Sequence, residues 1–274
     1  MMVEALIYFF VPALVGVLIG IASGLLGIGG GTVMVPIFRL AFGMSATMST
    51  ATSLFAIIPT SISGAISHVK GKTCIPALGI AAGLGGACLS PVGVWLAQLS
   101  PDWLVMLAAA LIIGYSAINM FKKAFKLRPA GQPAAGADAA APTVDDSSLS
   151  RKQLLQGAAI GLVAGLASGY VGVGGGFIMV PLMLSIIGIP MRKASGTSLI
   201  AVMILAIPGV IEQGIIGNIN YLAGIAIVIG TIPGAVIGAR IVTKVPERTL
   251  RLLFGCFLIV AAVMLVLNEV GIFG

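Results

Sequence analysis

The chain has 274 residues, of which 59% are hydrophobic and 8% charged, and its net charge at pH 7 is +7. A soluble domain carries roughly 25% charged residues, so this composition is typical of a protein embedded in a lipid bilayer. The basic residues lie in short loops between apolar runs, which indicates a cytoplasmic membrane face and excludes nucleic acid as the expected partner.

Long stretches without charged residues predict the membrane segments. A helix needs about 20 apolar residues to cross a hydrocarbon core of about 30 Å. The pattern predicts an all-α polytopic membrane protein with 8–10 transmembrane helices, its segments lying at 5–27, 31–43, 50–67, 73–98, 103–121, 154–173, 176–190, 196–213, 219–240 and 250–270. Segments 31–43 and 176–190 are short for a full span, and a re-entrant hairpin is the alternative for each.

The chain also repeats itself with an offset of 145 residues. Residues 20–36 match residues 165–181 at eleven of seventeen positions, and the same offset pairs Thr52 with Thr197. The repeat divides the chain into a first transmembrane repeat (1–128), a linker (129–149) and a second transmembrane repeat (150–274). Because the linker is rich in Ala, Pro and Gly, we expect it to be flexible. Ser150 and Gln153 then predict a capping box at the start of the next helix.

The distribution of basic residues predicts the orientation. With five segments in each half and the linker inside, every lysine and arginine except Arg39 falls on the cytoplasmic side. Omitting the short second segments would move six basic residues of the second half outside, against the positive-inside rule. Since five is odd, the second half enters from the opposite side. The sequence therefore predicts two inverted repeats of about five membrane segments each.

Each half carries a Gly-x-Gly-Gly-Gly motif followed by Val-Pro. Glycine is a poor helix former, so these runs predict helix breaks with exposed N–H groups that suit an anion. The alternative is that the small residues serve only a close crossing of helices. The predicted substrate-binding glycines are Gly27, Gly29, Gly30 and Gly31 in the first half and Gly172, Gly174, Gly175 and Gly176 in the second.

Hydroxyl side chains accompany these motifs at matching positions in both halves. Such hydroxyls donate hydrogen bonds to a substrate oxygen, or else bond to their own helix or a neighbouring one. Short, interrupted apolar segments at corresponding places in two repeats are the best sequence pointer to a transporter binding site. The predicted substrate-binding hydroxyls are Ser23, Thr52, Ser53, Ser168, Thr197 and Ser198.

Two ionisable residues are candidates for proton coupling. His68, the single histidine, lies near the inner end of its predicted segment, and Glu212 lies near the outer end of the corresponding segment. The alternative for both is an interfacial polar group. The three cysteines, Cys74, Cys88 and Cys256, lack metal-ligand spacing, so we expect no metal and no cofactor.

The doubled glycine motif with its trailing Val-Pro resembles the sulfite exporter family of TauE/SafE type, over essentially the whole chain outside the linker. The resemblance implies a multi-pass transporter of the bacterial inner membrane for sulfite, organosulfonates or related small sulfur-containing anions, commonly acting in export.

The predicted function is therefore secondary transport of a small anion by alternating access, and not an enzymatic activity. An HExxH motif, paired intramembrane carboxylates and a nucleophile with a histidine partner are all absent from the sequence. The alternative is an importer or facilitator of another small anion, such as sulfate or a carboxylate. The expected partners are the small anionic substrate and the lipid bilayer, and the sequence is compatible with a homo-oligomer.

Overall fold

The computed structural model describes residues 2–126 and 149–269, and these stretches are helical apart from short connections. Ten α-helices follow one another, each close to one predicted segment. Their bounds are α1 Met2–Leu26, α2 Gly31–Phe42, α3 Ala46–Lys70, α4 Pro76–Leu99, α5 Asp102–Lys126, α6 Arg151–Val171, α7 Gly176–Leu182, α8 Met191–Ile216, α9 Tyr221–Ile241 and α10 Glu247–Glu269. A π-helical turn, Met183–Ile187, extends α7.

The described part of the chain is an all-α polytopic membrane protein. Seven helices (α3–α6 and α8–α10) are long and apolar enough to cross a bilayer. The shorter apolar helices of the described residues are Phe10–Leu26 within α1, α2, and α7 with its π-helical turn. Large apolar side chains cover the outer surface; Leu18 is 67% exposed and Ile215 is 82% exposed. Apolar surface on this scale is stable against lipid, not against water.

The second helix of each half is too short to span the membrane. α2 has 12 residues, and α7 with its π-helical turn covers Gly176–Ile187. Each therefore extends about 18 Å, against about 30 Å of hydrocarbon core. These lengths favour the re-entrant alternative, in which α1–α2 and α6–α7 are hairpins that each enter and leave on one side. Three spanning helices then remain in each half, α3–α5 and α8–α10, which is still an odd number.

Glycines spaced by four residues hold two helix pairs in close contact. α1 packs against α9 and α4 packs against α6, and in both pairs the residue numbers increase together, so the paired helices run parallel. A Cβ on any of these glycines would overlap backbone atoms of the partner, which is the close approach that small residues permit. The glycines are Gly16, Gly20 and Gly24 against Gly230, Gly234 and Gly238, and Gly161, Gly165 and Gly169 against α4.

The corresponding helices α3 and α8 cross in opposite directions at the centre. A Cβ on Gly64 would lie 2.8 Å from Leu199 Cδ1, and one on Gly209 would lie 3.5 Å from Leu54 Cδ1. The offset of 145 residues converts the first contact into the second. Equivalent positions of the two halves thus make equivalent contacts across the antiparallel α3–α8 pair.

Two acidic residues connect α5 and α10 to the central pair of helices, α3 and α8, through hydrogen bonds. Asp102, at the start of α5, accepts a hydrogen bond from the Ala46 N–H (3.3 Å), and Glu247, at the start of α10, accepts one from the Met191 N–H (3.2 Å). Each carboxylate therefore binds the first N–H of α3 or α8, where the positive end of the helix dipole favours negative charge. Glu247 also pairs with Arg251 one helical turn later.

The capping box predicted at the start of the second repeat is confirmed. Ser150 Oγ accepts a hydrogen bond from the Gln153 N–H (3.2 Å), while Gln153 Oε1 accepts one from the Ser150 N–H (3.0 Å). The predicted linker, 129–149, lies outside the described residues except for Leu149.

Candidate functional site

A helix break occurs at the glycine run of each half, as the sequence predicts. α1 ends at Leu26 and α6 ends at Val171, and the next helices begin five residues later. Between them lie glycines with left-handed backbone conformations, which side chains with a Cβ rarely adopt. Their φ angles are +75°, +79° and +85° at Gly27, Gly29 and Gly30, and +72°, +85° and +70° at Gly172, Gly174 and Gly175.

The two breaks lie against each other and form what we call the crossing, residues 27–31 and 172–176. A Cβ on Gly31 would lie 2.7 Å from the Val173 carbonyl oxygen, and one on Gly176 would lie 2.9 Å from Ile28 Cα. The two segments therefore run antiparallel at backbone contact, and all their residues are buried. The helix breaks and the close approach of small residues therefore occur at the same place.

Two apolar side chains close the centre of the crossing. Ile57 of α3 and Val202 of α8 occupy equivalent positions in the two halves. A Cβ on Gly29 would lie 2.8 Å from Val202 Cγ1, and one on Gly174 would lie 2.8 Å from Ile57 Cδ1. Both side chains are fully buried. Ile57 and Val202 therefore pack against the glycine breaks and leave the centre of the crossing closed.

Two equivalent serines beside the crossing have buried hydroxyls without a partner. Ser23 lies in the last turn of α1, and its Cβ is 3.7 Å from the place that a Cβ on Gly30 would occupy. Ser168 lies in the last turn of α6, and its Cβ is 3.4 Å from the place that a Cβ on Gly175 would occupy. Within the described residues neither hydroxyl makes a hydrogen bond. A buried hydroxyl left unpaired costs about 1–3 kcal/mol, so both are available to a ligand.

Three further unpaired hydroxyls surround the same region. Ser61 Oγ lies 3.4 Å from the position of a Cβ on Gly29. Ser53 lies between Thr50, which packs against Gly172, and Ile57 on one face of α3, and Thr32 is the second residue of α2. All three hydroxyls are buried and lack a partner in the described part of the chain.

Ser198 differs from its equivalent, Ser53, in being bonded to the crossing. Its hydroxyl donates a bifurcated hydrogen bond to the carbonyl oxygens of Gly27 (2.7 Å) and Ser195 (2.8 Å). The second half thus fixes the first glycine break through a hydrogen bond, while Ser53 has no such acceptor. The two halves share a backbone arrangement but differ in the use of this hydroxyl.

The two predicted threonines point away from the crossing and hold the starts of other helices. Thr52 Oγ1 accepts a hydrogen bond from the Asn220 N–H (3.0 Å), and Thr197 Oγ1 accepts one from the Ile75 N–H (2.9 Å). Asn220 and Ile75 are the N-caps of α9 and α4. The structure therefore engages Thr52 and Thr197 in equivalent bonds between helices.

The electrostatic character of the crossing comes from dipoles, not from charged side chains. Asp, Glu, Lys and Arg are absent from the buried polar residues in the described ranges. The first N–H groups of α2, at Gly31 and Thr32, have no backbone acceptor among the described residues. A helix N-terminus carries roughly half a positive charge. Together with the hydroxyls, these groups offer hydrogen-bond donors in a partly positive environment, which favours an anion.

The structure places His68 beside the crossing, not within it. The imidazole is fully buried, with Nε2 2.8 Å from the Gly24 carbonyl oxygen and Nδ1 2.7 Å from Thr73 Oγ1. Since a carbonyl only accepts, Nε2 carries the proton in the first bond. Thr73 Oγ1 is also 3.3 Å from the His68 carbonyl oxygen, so its hydroxyl can donate either to a neutral Nδ1 or to that carbonyl when Nδ1 is protonated.

Glu212 is remote from His68. His68 packs against Gly196 on α8, and Glu212 lies sixteen residues further along that helix, which corresponds to about 24 Å. One oxygen of Glu212, Oε2, is buried without a hydrogen-bond partner in the described chain. The structure thus separates the two candidates for proton coupling, and a direct proton transfer between them is excluded in this conformation.

Several features of the site were not predicted from the sequence. Ser61, Thr32 and the apolar pair Ile57 and Val202 all contribute to the crossing or its surroundings. The close contact of α1 with α9 could have been predicted, because glycines recur at every fourth residue in both segments of the sequence. Ile57 and Val202 have no such signal, because apolar residues fill every segment.

Fold and site together define the class: a polytopic α-helical membrane protein whose halves meet at a pair of interrupted helices. The chain belongs to the sulfite exporter TauE/SafE family, whose profile matches residues 12–265. This match confirms the resemblance of the glycine motifs.

The chain is similar to several proteins described as probable membrane transporters, and the similarity covers nearly the whole length of each. The "Probable membrane transporter protein YunE" of Bacillus subtilis is 28% identical, covering 97% of this chain and 99% of the relative. YdhB of the same organism, with the same description, is 28% identical over 87% of this chain and 92% of its own. A "Probable membrane transporter protein" of Haemophilus influenzae is 30% identical over 93% and 97%. Among solved structures there is no significant match.

Proposed function

We propose that the protein exports sulfite, organosulfonates or related small sulfur-containing anions and binds them at the crossing. The observation that carries the proposal is the set of buried hydroxyls without partners, led by the equivalent pair Ser23 and Ser168. They surround a helix N-terminus in a region without charged side chains. The family, named for a sulfite exporter, supports this substrate class.

The chemistry of the site matches that of the substrate. Sulfite and sulfonates present three oxygens that accept hydrogen bonds and carry delocalised negative charge. Hydroxyls and backbone N–H groups donate to such oxygens, and bonds to a charged acceptor are about twice as strong as neutral ones. A site without a fixed cation also releases its anion more readily than an arginine clamp would, which suits a carrier.

We further propose that the two halves form an inverted repeat and move by alternating access. The antiparallel α3–α8 contact and the matched bonds of Thr52 and Thr197 support this arrangement. Opening toward either side would separate Ile57 from one of the glycine breaks. The closed crossing then corresponds to the occluded intermediate between two open states.

The orientation that we propose places the linker, 129–149, in the cytoplasm and the protein in the bacterial inner membrane. The basic loops then lie inside, as the positive-inside rule requires. An inside-negative potential favours the exit of an anion by about 2.3 kcal/mol per charge per 100 mV. Export therefore needs no coupling ion. His68 and Glu212 remain candidates for coupling if protons move with the anion.

The experiment that tests the proposal is counterflow of radiolabelled sulfite in proteoliposomes, with unlabelled sulfonates, sulfate and carboxylates as competitors. We expect sulfonates to compete. Competition by sulfate or carboxylates alone would indicate the alternative anion carrier, and absence of flux with every anion would refute the substrate class. The sign of the transport current reports the direction that the potential favours.

Matched glycine variants test the location of the site. The Gly30→Leu, Gly175→Leu double variant adds side chains at two left-handed positions of the crossing. The control is Gly43→Leu, Gly188→Leu, another equivalent pair with φ of +62° and +78°, where a Cβ would meet nothing within 4 Å. We expect flux to disappear in the first variant and to persist in the second. Equal loss in two folded variants would refute the assignment of the site to the crossing.

A further inference from the structure

A groove between α3 and α9 ends in two basic side chains. The groove has a volume of about 830 Å³ and lies between the C-terminal halves of the two helices. Its walls are mainly apolar, with the hydroxyl residues Ser63, Ser67 and Thr243 among them, and Lys70 and Arg240 lie at one end. Both basic side chains are exposed, and neither forms an ion pair or hydrogen bond with another described residue.

The length of the groove corresponds to one leaflet of a bilayer. From Pro59 to Lys70 the lining follows α3 for eleven residues, which is about 16 Å of helix. Half of a hydrocarbon core is about 15 Å. At the apolar end the Ser63 hydroxyl donates to the Ile232 carbonyl oxygen (2.7 Å) and joins the two helices. The basic residues therefore lie at the depth of lipid headgroups when the apolar walls face acyl chains.

The second half provides an internal comparison. The offset of 145 residues places Ile215 at the position of Lys70 and Trp95 at the position of Arg240, and both are exposed. The fold therefore does not require a basic residue at either place. Glu212 takes the position of Ser67, so the corresponding surface of α8 and α4 carries an acid instead of two bases.

We propose that this groove binds an anionic phospholipid, with its phosphate at Lys70 and Arg240 and an acyl chain along the apolar walls. Unpaired basic residues at the end of an apolar groove complement a charged headgroup joined to a hydrocarbon chain. Because α3 and α9 belong to different halves, the bound lipid joins the two repeats. This lipid site is separate from the crossing and does not depend on which anion the protein transports.

The test measures lipid binding to the purified full-length protein in neutral detergent. Native mass spectrometry counts bound phosphatidylglycerol and phosphatidylcholine of the same acyl chains. We expect phosphatidylglycerol to bind in preference, with an affinity about thirtyfold lower in the Lys70→Gln, Arg240→Gln double variant. The control, Lys72→Gln, Lys244→Gln, removes the same charge from neighbouring positions outside the groove and should retain full affinity.

Four results would overturn the proposal. These are equal binding of phosphatidylcholine, equal loss of affinity in the control variant, competition by soluble glycerol 3-phosphate at the lipid's own concentration, and a dimer that disappears in the double variant. The third would show that free phosphate is the ligand, and the fourth that a second copy covers the groove. The masses show whether each variant is monodisperse, and a narrow distribution of low charge states shows that it is folded, so loss of binding is not confused with unfolding.

Discussion

The equivalent residues Ser53 and Ser198 offer a test in which one substitution has opposite effects on stability. Ser198 donates a hydrogen bond of 2.7 Å to the Gly27 carbonyl oxygen, whereas the hydroxyl of Ser53 is buried without a partner in the described chain. Ser198→Ala removes a bond and leaves a buried acceptor unpaired, which costs about 1–2 kcal/mol. Ser53→Ala removes an unpaired hydroxyl and is expected to stabilise the free protein by about 1 kcal/mol.

The assay is thermal unfolding of the purified variants without substrate, followed by unfolding across a range of sulfite concentrations. At roughly 2–4 °C per kcal/mol, the difference of about 2–3 kcal/mol should separate the Tm values of the two variants by about 4–12 °C. Sulfite raises the Tm of the wild type by mass action. If Ser53 donates to the anion, Ser53→Ala loses a charged hydrogen bond and its Kd for sulfite rises about 10- to 100-fold.

The result that would refute this reasoning is a Ser53→Ala protein that is destabilised as much as Ser198→Ala and has unchanged sulfite affinity. Ser53 would then be a structural hydroxyl with a partner. A stabilised Ser53→Ala protein with unchanged affinity would show that the hydroxyl is unpaired but does not contact the substrate.

Two further predictions concern folding. Gly161→Ala places a Cβ against the Ala82 carbonyl oxygen, so we expect the free energy of unfolding to fall by about 3 kcal/mol, or the protein to fail to fold. At Gly114 a Cβ meets nothing within 4 Å, so Gly114→Ala should raise the free energy of unfolding by up to about 1 kcal/mol through helix propensity. Similar Tm values for the two variants would contradict the close α4–α6 contact. Ser150→Ala breaks the capping box with Gln153 and should lower the free energy of unfolding by about 1 kcal/mol. An unchanged Tm would show that the capping box does not stabilise this helix.

The sequence was sufficient to predict the segments and the breaks, for physical reasons. Charge-free runs of spanning length have few alternatives to a transmembrane helix. The glycines at 27–31 and 172–176 weaken the helix locally, so the breaks are determined by neighbouring residues alone. The predicted segment 31–43 differs from α2 by a single residue at its end.

The contacts between halves could not be predicted in the same way. Whether Thr52 turns toward a substrate or toward the N–H of Asn220 depends on where α9 begins in space. The same holds for Ser23, whose lack of a partner follows from the packing of several helices. A hydroxyl in the sequence has many potential acceptors, and only the tertiary arrangement selects one of them.

The measurement that tests the central claim most directly is equilibrium binding of radiolabelled sulfite to three purified proteins. These are the wild type, the double variant that combines Ser23→Ala with Ser168→Ala, and the control Ser90→Ala. Ser90 is also buried without a partner among the described residues, but it lies beside Gly209, seven residues along α8 from Val202. We predict that the double variant loses at least tenfold in affinity and that the control binds as the wild type does. Wild-type affinity in the double variant would contradict an anion site at the crossing.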